Sequence, residues 1–240
     1  MKKTPGHTSL VLLTIALSAC GGAIELNPAP IPVPLQISAD FNAMPAGWTG
    51  GYSDFTSSTK PGDVVTEFRT LPPPFSGKGL YTFGTNKSDD LFIYVKEKIG
   101  GLAPNTRYSL SYQLTFLSNA ASGCMGVGGS PGESVYMVGA ASSIEPLTIQ
   151  AGDEYRMNID KGNQAAPGKN ALLLGNIANA STDCFSTPYL EKSLASKTPL
   201  DVVTDASGSI WLLLGIDSGF EAASQVYYKS LTVNASPAGR

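Results

Sequence analysis

Tyr108-Ser109-Leu110-Ser111-Tyr112-Gln113-Leu114-Thr115-Phe116 alternates apolar and polar side chains without a break. Neighbouring side chains of an extended chain point to opposite faces, so this period of two describes an antiparallel strand with one face buried and the other solvated. Outward from it, runs of strand composition lie at 64–69, 80–84, 91–96, 134–140, 155–160, 172–177, 210–216 and 225–233. Trp211-Leu212-Leu213-Leu214-Gly215-Ile216 is apolar on both faces, which fits a central strand. Turn signals separate the runs at Pro104-Asn105, Gly152-Asp153, Lys161-Gly162-Asn163 and Asp205 to Gly208. Only 187–194 reads as helical, with Thr187 as cap and Pro188 at the first helical position. Many short strands and at most one short helix predict an all-β fold, an antiparallel β-sandwich, built as one domain over 36–240.

Gly128-Gly129-Ser130-Pro131-Gly132 matches the G-x-S-x-G pattern of a nucleophile elbow. Two requirements of that chemistry fail here. The residue after the serine, whose N–H would serve the oxyanion hole, is Pro131, which has none. The base that a serine needs is usually histidine, and the one histidine of the chain is His7, at the extreme N-terminal side. Phosphate-loop patterns fail too, because Pro131 and Glu133 stand where glycine and lysine are needed. The stretch reads as a glycine-rich loop before a strand, and the chain as a non-enzyme.

Met1-Lys2-Lys3 is followed by an apolar run from Leu10 to Leu17 that is too short to span a bilayer. A basic start, a short apolar middle and small residues at the end have the shape of a secretory signal peptide. Leu17-Ser18-Ala19-Cys20 resembles the lipobox of bacterial lipoproteins. The resemblance implies removal of 1–19, with His7, and acylation of Cys20. More than one acyl chain anchors stably where one binds reversibly. Gly21 and Gly22 after the cysteine, rather than aspartate, imply sorting to the outer membrane. Alternating prolines at Pro28, Pro30, Pro32 and Pro34 favour polyproline II, so 20–35 reads as a lipidated, semi-rigid tether.

Without Lys2 and Lys3 the 16 basic residues fall to 14 against 19 acidic ones, a net charge of −5. That balance, with no cluster of Lys and Arg, excludes a nucleic-acid footprint. Cys124 and Cys184 remain after Cys20, and in an oxidising compartment they are expected to pair. The link would close a loop of about 60 residues and contribute roughly 4 kcal/mol by the chain-entropy relation.

Three polar clusters interrupt the strands: Asn86 to Asp90, Asp160 to Asn163, and Asp217 to Glu221. Solvated turns explain such residues, and so does a calcium site, which needs six to eight oxygen ligands. Asp89, Asp90, Asp160, Asp217 and Glu221 are the candidate ligand-binding carboxylates. Asp89 and Asp90 would point to opposite faces of an extended chain, so one of them at most joins a given site. Trp48 and Tyr52 lie in a glycine-rich segment and could offer ring faces to a sugar; buried aromatic packing is the alternative, and for Trp48 the better one.

Asp40-Phe41 with Gly47-Trp48 resembles the opening strand, and Tyr227 to Val233 the closing strand, of the jelly rolls of carbohydrate-binding modules and galactose-binding-like domains. The resemblance implies a jelly roll whose first and last strands lie side by side, often beside a calcium. Lys229 stands where the closing strand commonly has aspartate, so the fold carries over and the metal does not. The resulting expectation is an outer-membrane-anchored, non-catalytic binder, most plausibly of a glycan. A scaffolding lipoprotein that binds protein partners and a carboxylate-dependent glycosidase are the alternatives.

Overall fold

The computed structural model of the chain describes residues 31–43 and 47–238. The expected signal peptide (1–19), Cys20 and the first prolines of the expected tether lie outside these residues. The described strands are β1 (Leu35–Asp40), β2 (Thr49–Ser53), β3 (Phe55–Thr56), β4 (Val65–Thr70), β5 (Lys78–Thr85), β6 (Leu91–Ile99), β7 (Arg107–Ser118), β8 (Val135–Ser142) and β9 (Thr148–Ala151). They continue with β10 (Glu154–Met157), β11 (Gly162–Asn163), β12 (Ala166–Pro167), β13 (Ala171–Asn176), β14 (Leu190–Ala195), β15 (Leu200–Val203), β16 (Ile210–Ser218) and β17 (Ala223–Pro237).

Two antiparallel sheets stack as a jelly-roll sandwich. The front sheet has the order β14-β7-β17-β5-β4, with β15 also pairing β7 and β1 also pairing β17. The back sheet has the order β13-β8-β16-β6-β2. The alternation of β7 sends Tyr108, Leu110, Tyr112, Leu114 and Phe116 inward, all at most 1% exposed. They meet Ile93 and Val95 of β6, Leu212, Leu214 and Ile216 of β16 and Tyr228 and Val233 of β17 in one core. Each such side chain contributes roughly 1.5–3 kcal/mol when fully buried. Tyr112 spans the layers by donating its hydroxyl proton to the Ala140 carbonyl at 2.9 Å, so its polar end is satisfied.

The first and last strands pair from Leu35↔Ala235 to Asp40↔Ser230, as the jelly-roll resemblance implies. Lys229 sits at a register shift of β17, between Tyr228 and Ser230. Cys124 and Cys184 form a disulfide with Cα atoms 5.6 Å apart, tying the loop before β8 to the loop before β14.

The helix expected at 187–194 is a strand instead. β14 pairs with the edge of β7 from Leu190↔Ser118 to Ala195↔Gln113. Leu190 and Leu194 are four residues apart, a spacing that falls on one face of a helix and of a strand alike. Open backbone groups along β7 resolve the ambiguity, because a strand there satisfies both chains. Among the described residues there is no helix.

Candidate functional sites on the two outer faces

The outer face of the back sheet is covered. Phe92, Tyr94, Val138, Ala140 and Leu213 point away from the sandwich core and are buried beneath Met157 and Ile159. The covering segment, 143–170, carries β9 to β12. At one end of this face three neighbouring strands deliver a carboxylate each. Asp217 is on β16 opposite Phe92, Asp90 immediately precedes β6, and Asp54 follows β2, whose last residue Ser53 also pairs with Phe92. Asp54 has a left-handed φ of 65°, which aspartate tolerates better than most residues.

The covering segment answers with two cations. The Lys161 ammonium lies 2.7 Å from Asp54 Oδ2 and 2.7 Å from Asp217 Oδ2, with all three side chains at most 5% exposed. It sits 4.7 Å from the centroid of the Phe92 ring. Arg156 Nη1 donates to Asp90 Oδ2 at 2.7 Å and lies 3.6 Å from Asp54 Oδ1. Gln164 N–H donates to Asp217 Oδ2 at 2.7 Å. Two buried acceptors are left without partners, Asp90 Oδ1 and Asp217 Oδ1. Asp54, Asp90, Arg156 and Lys161 line a cleft of about 170 Å³.

Burial alone would push the Lys161 ammonium down, but Asp217 and Asp54 more than offset it and hold it above the ordinary lysine range. Burial, reinforced by the charges of Asp54 and Asp217, raises Asp90 to about 6 despite the opposing Arg156 bond. The cluster is therefore a charge-dense, partly uncompensated network of three acids and two bases.

Asp90 and Asp217 thus come together as two of the carboxylates singled out in the sequence. Asp160 borders the same cleft, but its oxygens accept the N–H groups of Gly162 and Lys169, at 3.2 and 3.1 Å, and cap a turn. Asp89 is exposed on the other side of the chain, where its carboxylate raises the Glu221 carboxyl; neither reaches the cluster. Asp54, Lys161 and Arg156 were missed. Asp54 is an isolated acid between two short strands, and the two bases lie in a segment whose docking on the sheet has no local signature.

Trp48 packs edge-on against Phe41, with centroids 5.3 Å apart, and joins the rim of the core. Tyr52 leans on Phe55 at 5.2 Å and borders an open cleft with Val64 and Thr66. Ser130 Oγ bonds the Glu133 carboxylate and accepts the Gly132 and Glu133 N–H groups at 3.2 Å, so it closes its own loop.

The outer face of the front sheet is built differently. Ser111, Gln113, Asn234 and Ser38 form an exposed polar lawn over its lower half, Ser111 pairing with Asn234, and Gln113 and Ser38 both pairing with Thr232. Over its upper half the outward positions are aromatic. Tyr81 and Phe83 of β5 are stacked at 6.4 Å, Tyr227 of β17 lies 4.6 Å from Tyr81, and Tyr189 stands edge-on to Tyr227 at 5.3 Å. Phe83 and Tyr189 are half-buried, so part of each ring meets solvent. The Arg69 guanidinium lies 4.3 Å over the Tyr81 ring, and the Tyr81 hydroxyl donates to Gln225 Oε1 at 2.6 Å. Burial raises the Tyr81 and Tyr189 hydroxyls above the usual tyrosine range and keeps them neutral. Beside the rings a groove of about 420 Å³ runs between the 71–78 loop and β17, lined by Asp40, Asn42, Lys78, Thr115, Glu191 and Lys229. The i, i+2 pair Tyr81 and Phe83 was the one sequence signal for this patch.

No protein-family model matches the chain, and no curated protein matches it in sequence. Several solved sandwiches are similar in outline. A xylan-binding module of family 15 aligns over 85% of this chain and 99% of its own, at 12% identity and a TM-score of 0.37. A family 61 carbohydrate-binding module in complex with β-1,4-galactotriose aligns over 78% and 88%, at 4% identity and 0.35. An adhesin domain of Lys-gingipain from Porphyromonas gingivalis aligns over 85% and 99%, at 14% identity and 0.35.

Proposed function

We propose that the chain is a lipid-anchored envelope protein that binds a glycan, without chemistry, on the outer face of its front sheet. The observation that carries the glycan reading is the pair of half-buried rings Phe83 and Tyr189, backed by the buried rings of Tyr81 and Tyr227 and flanked by a polar groove. Sugar rings have an apolar face that packs on an aromatic ring and an edge of hydroxyls that needs donors and acceptors beside it. Gln225, Arg69, Glu191 and Lys229 supply those groups at the margins of the rings.

Affinity electrophoresis and calorimetry against a panel of polysaccharides test it. The full chain binds at least one, and Phe83→Ala and Tyr189→Ala each weaken that binding about tenfold or more, the size of effect expected for an aromatic anchor in a binding site. Undiminished binding in both variants, or no binding to any polysaccharide, removes the reading. The anchoring half rests on the Leu17-Ser18-Ala19-Cys20 motif and the prolines that follow it. Intact mass of the protein from cells is expected to begin at an acylated Cys20; an unmodified Cys20 would refute it.

A further inference from the structure

Three carboxylate oxygens, one each from Asp54, Asp90 and Asp217, lie within 4.8 Å of one another on the covered back face. Oxygens that ligate one calcium at about 2.3–2.6 Å are at most about 5 Å apart across the ion, so the three have the span of a single-ion shell. A cluster of acids alone would be a turn or a solvated patch, but this one is buried. Asp217 is 1% exposed, and its Oδ1 has no partner among the described residues. Asp90 Oδ1 is likewise buried without a partner. These are free acceptors in a place where an isolated carboxylate would otherwise be unstable.

An ammonium stands against two of the three acids, and Arg156 against the third. Lys161 Nζ is 2.7 Å from two of the three acids, and it also donates to the Gly162 carbonyl at 3.2 Å. The ammonium takes two of the three carboxylate contacts that a metal in this cluster would take. One positive charge at the centre and the half-exposed Arg156 at the edge face three negative charges. A divalent ion would balance the cage more fully than the lysine does.

We propose that Asp54, Asp90 and Asp217 form a hard-cation cage in which Lys161 takes the place of a divalent ion, and that calcium enters the cage once the ammonium is removed. The native protein is then assembled without metal at this site. The covering segment 143–170 is pinned by its own cation, not by a borrowed one.

Thermal unfolding of the full chain and of Lys161→Met, each with EDTA and with calcium chloride, tests the cage. The native chain shifts by less than about 1 °C between the two conditions, because the site is taken. With EDTA the variant is destabilised. At calcium about 100-fold above its dissociation constant the variant gains roughly 5–10 °C, the shift a single-site ligand gives a chain of this size. Adding Asp54→Asn to the variant abolishes that gain, which separates the cage from calcium bound elsewhere. Should Lys161→Met not fold in EDTA, recovery of soluble protein only with calcium is the same result, and the milder Lys161→Gln gives the same calcium-dependent shift. The assignment is overturned if calcium stabilises neither variant, if neither folds in calcium, or if EDTA lowers the midpoint of the native chain.

Discussion

The two outer faces of this sandwich start from the same pleated geometry and end in opposite states. On the back sheet the outward positions are Phe92, Tyr94, Val138 and Leu213, and a 28-residue segment between β8 and β13 (143–170) closes over them. On the front sheet the outward positions are polar over one half; over the other, Tyr81, Leu117 and Tyr227 are buried with Leu71, and Phe83 and Tyr189 are half-buried at the margin of that cluster. The covered face is fastened at both ends by ion pairs that cross from sheet to cover. Lys161 and Arg156 meet the three acids at one end, and Lys96 of β6 meets Glu145 at 2.7 Å at the other. On the front face only Phe83 and Tyr189 keep part of their surface exposed, beside the groove. The proposed binding surface lies on the face opposite the ion-paired cover.

Breaking the covered face should show this most strongly. Phe92 is 0% exposed and packs beneath Lys161, Tyr94 and the cover. Phe92→Ala is expected to cost about 3–5 kcal/mol in urea denaturation, the range for a buried phenylalanine. Polysaccharide binding by the fraction that remains folded should be unchanged; a variant of native stability would mean that the cover is not docked.

A smaller effect comes from Asp90. Its pKa is raised to about 6 in the folded state against 3.8 ordinarily, so the folded state binds this proton more tightly than the unfolded chain. The stability it contributes is fully present below about pH 4 and is lost as pH rises to about 6. Scaled down for partial solvent access, the loss is of the order of 1–3 kcal/mol. Asp90→Asn removes the titration, so the difference between native and variant stability should change between pH 4 and pH 7 and be flat above it. A difference independent of pH would show that Asp90 titrates normally.

The least effect on stability belongs to the open face. Phe83 is half-buried, and Phe83→Ala should lower stability by about 1 kcal/mol or less than the buried-ring range, while removing most glycan affinity. A loss as large as that of Phe92→Ala would make the patch part of a hidden core and end the contrast between the faces.

Much of this contrast was legible in the sequence. The alternation of Tyr108 to Phe116 marks a strand with one wet face, and Ser109, Ser111, Gln113 and Thr115 do point outward. The unbroken apolar run Trp211 to Ile216 marks a strand covered on both sides, and β16 is central to the covered sheet. Asp90 and Asp217 stood out as carboxylates interrupting apolar strands, and both reached the cluster. The rest depended on contacts between segments distant in sequence. Asp54 is 107 positions from Lys161 and 163 from Asp217, and no local pattern relates them. Leu190 and Leu194 satisfied two periodicities at once, and the free edge of β7 chose between them. Trp48 read either as a ring offered to a sugar or as buried packing, and the contact with Phe41 decides for packing.

By itself the sequence determined the period of two, the pairing of the only two cysteines in the body of the chain, and the lack of an N–H after Ser130, where Pro131 stands. Each follows from residues whose spacing or chemistry acts over a few bonds or by elimination. Tertiary structure decided which face was covered, which rings met solvent and which cation filled the acid cage. Those outcomes depend on where the 143–170 segment comes to rest, and burial and charge pairing across such distances exist only once the two sheets have stacked.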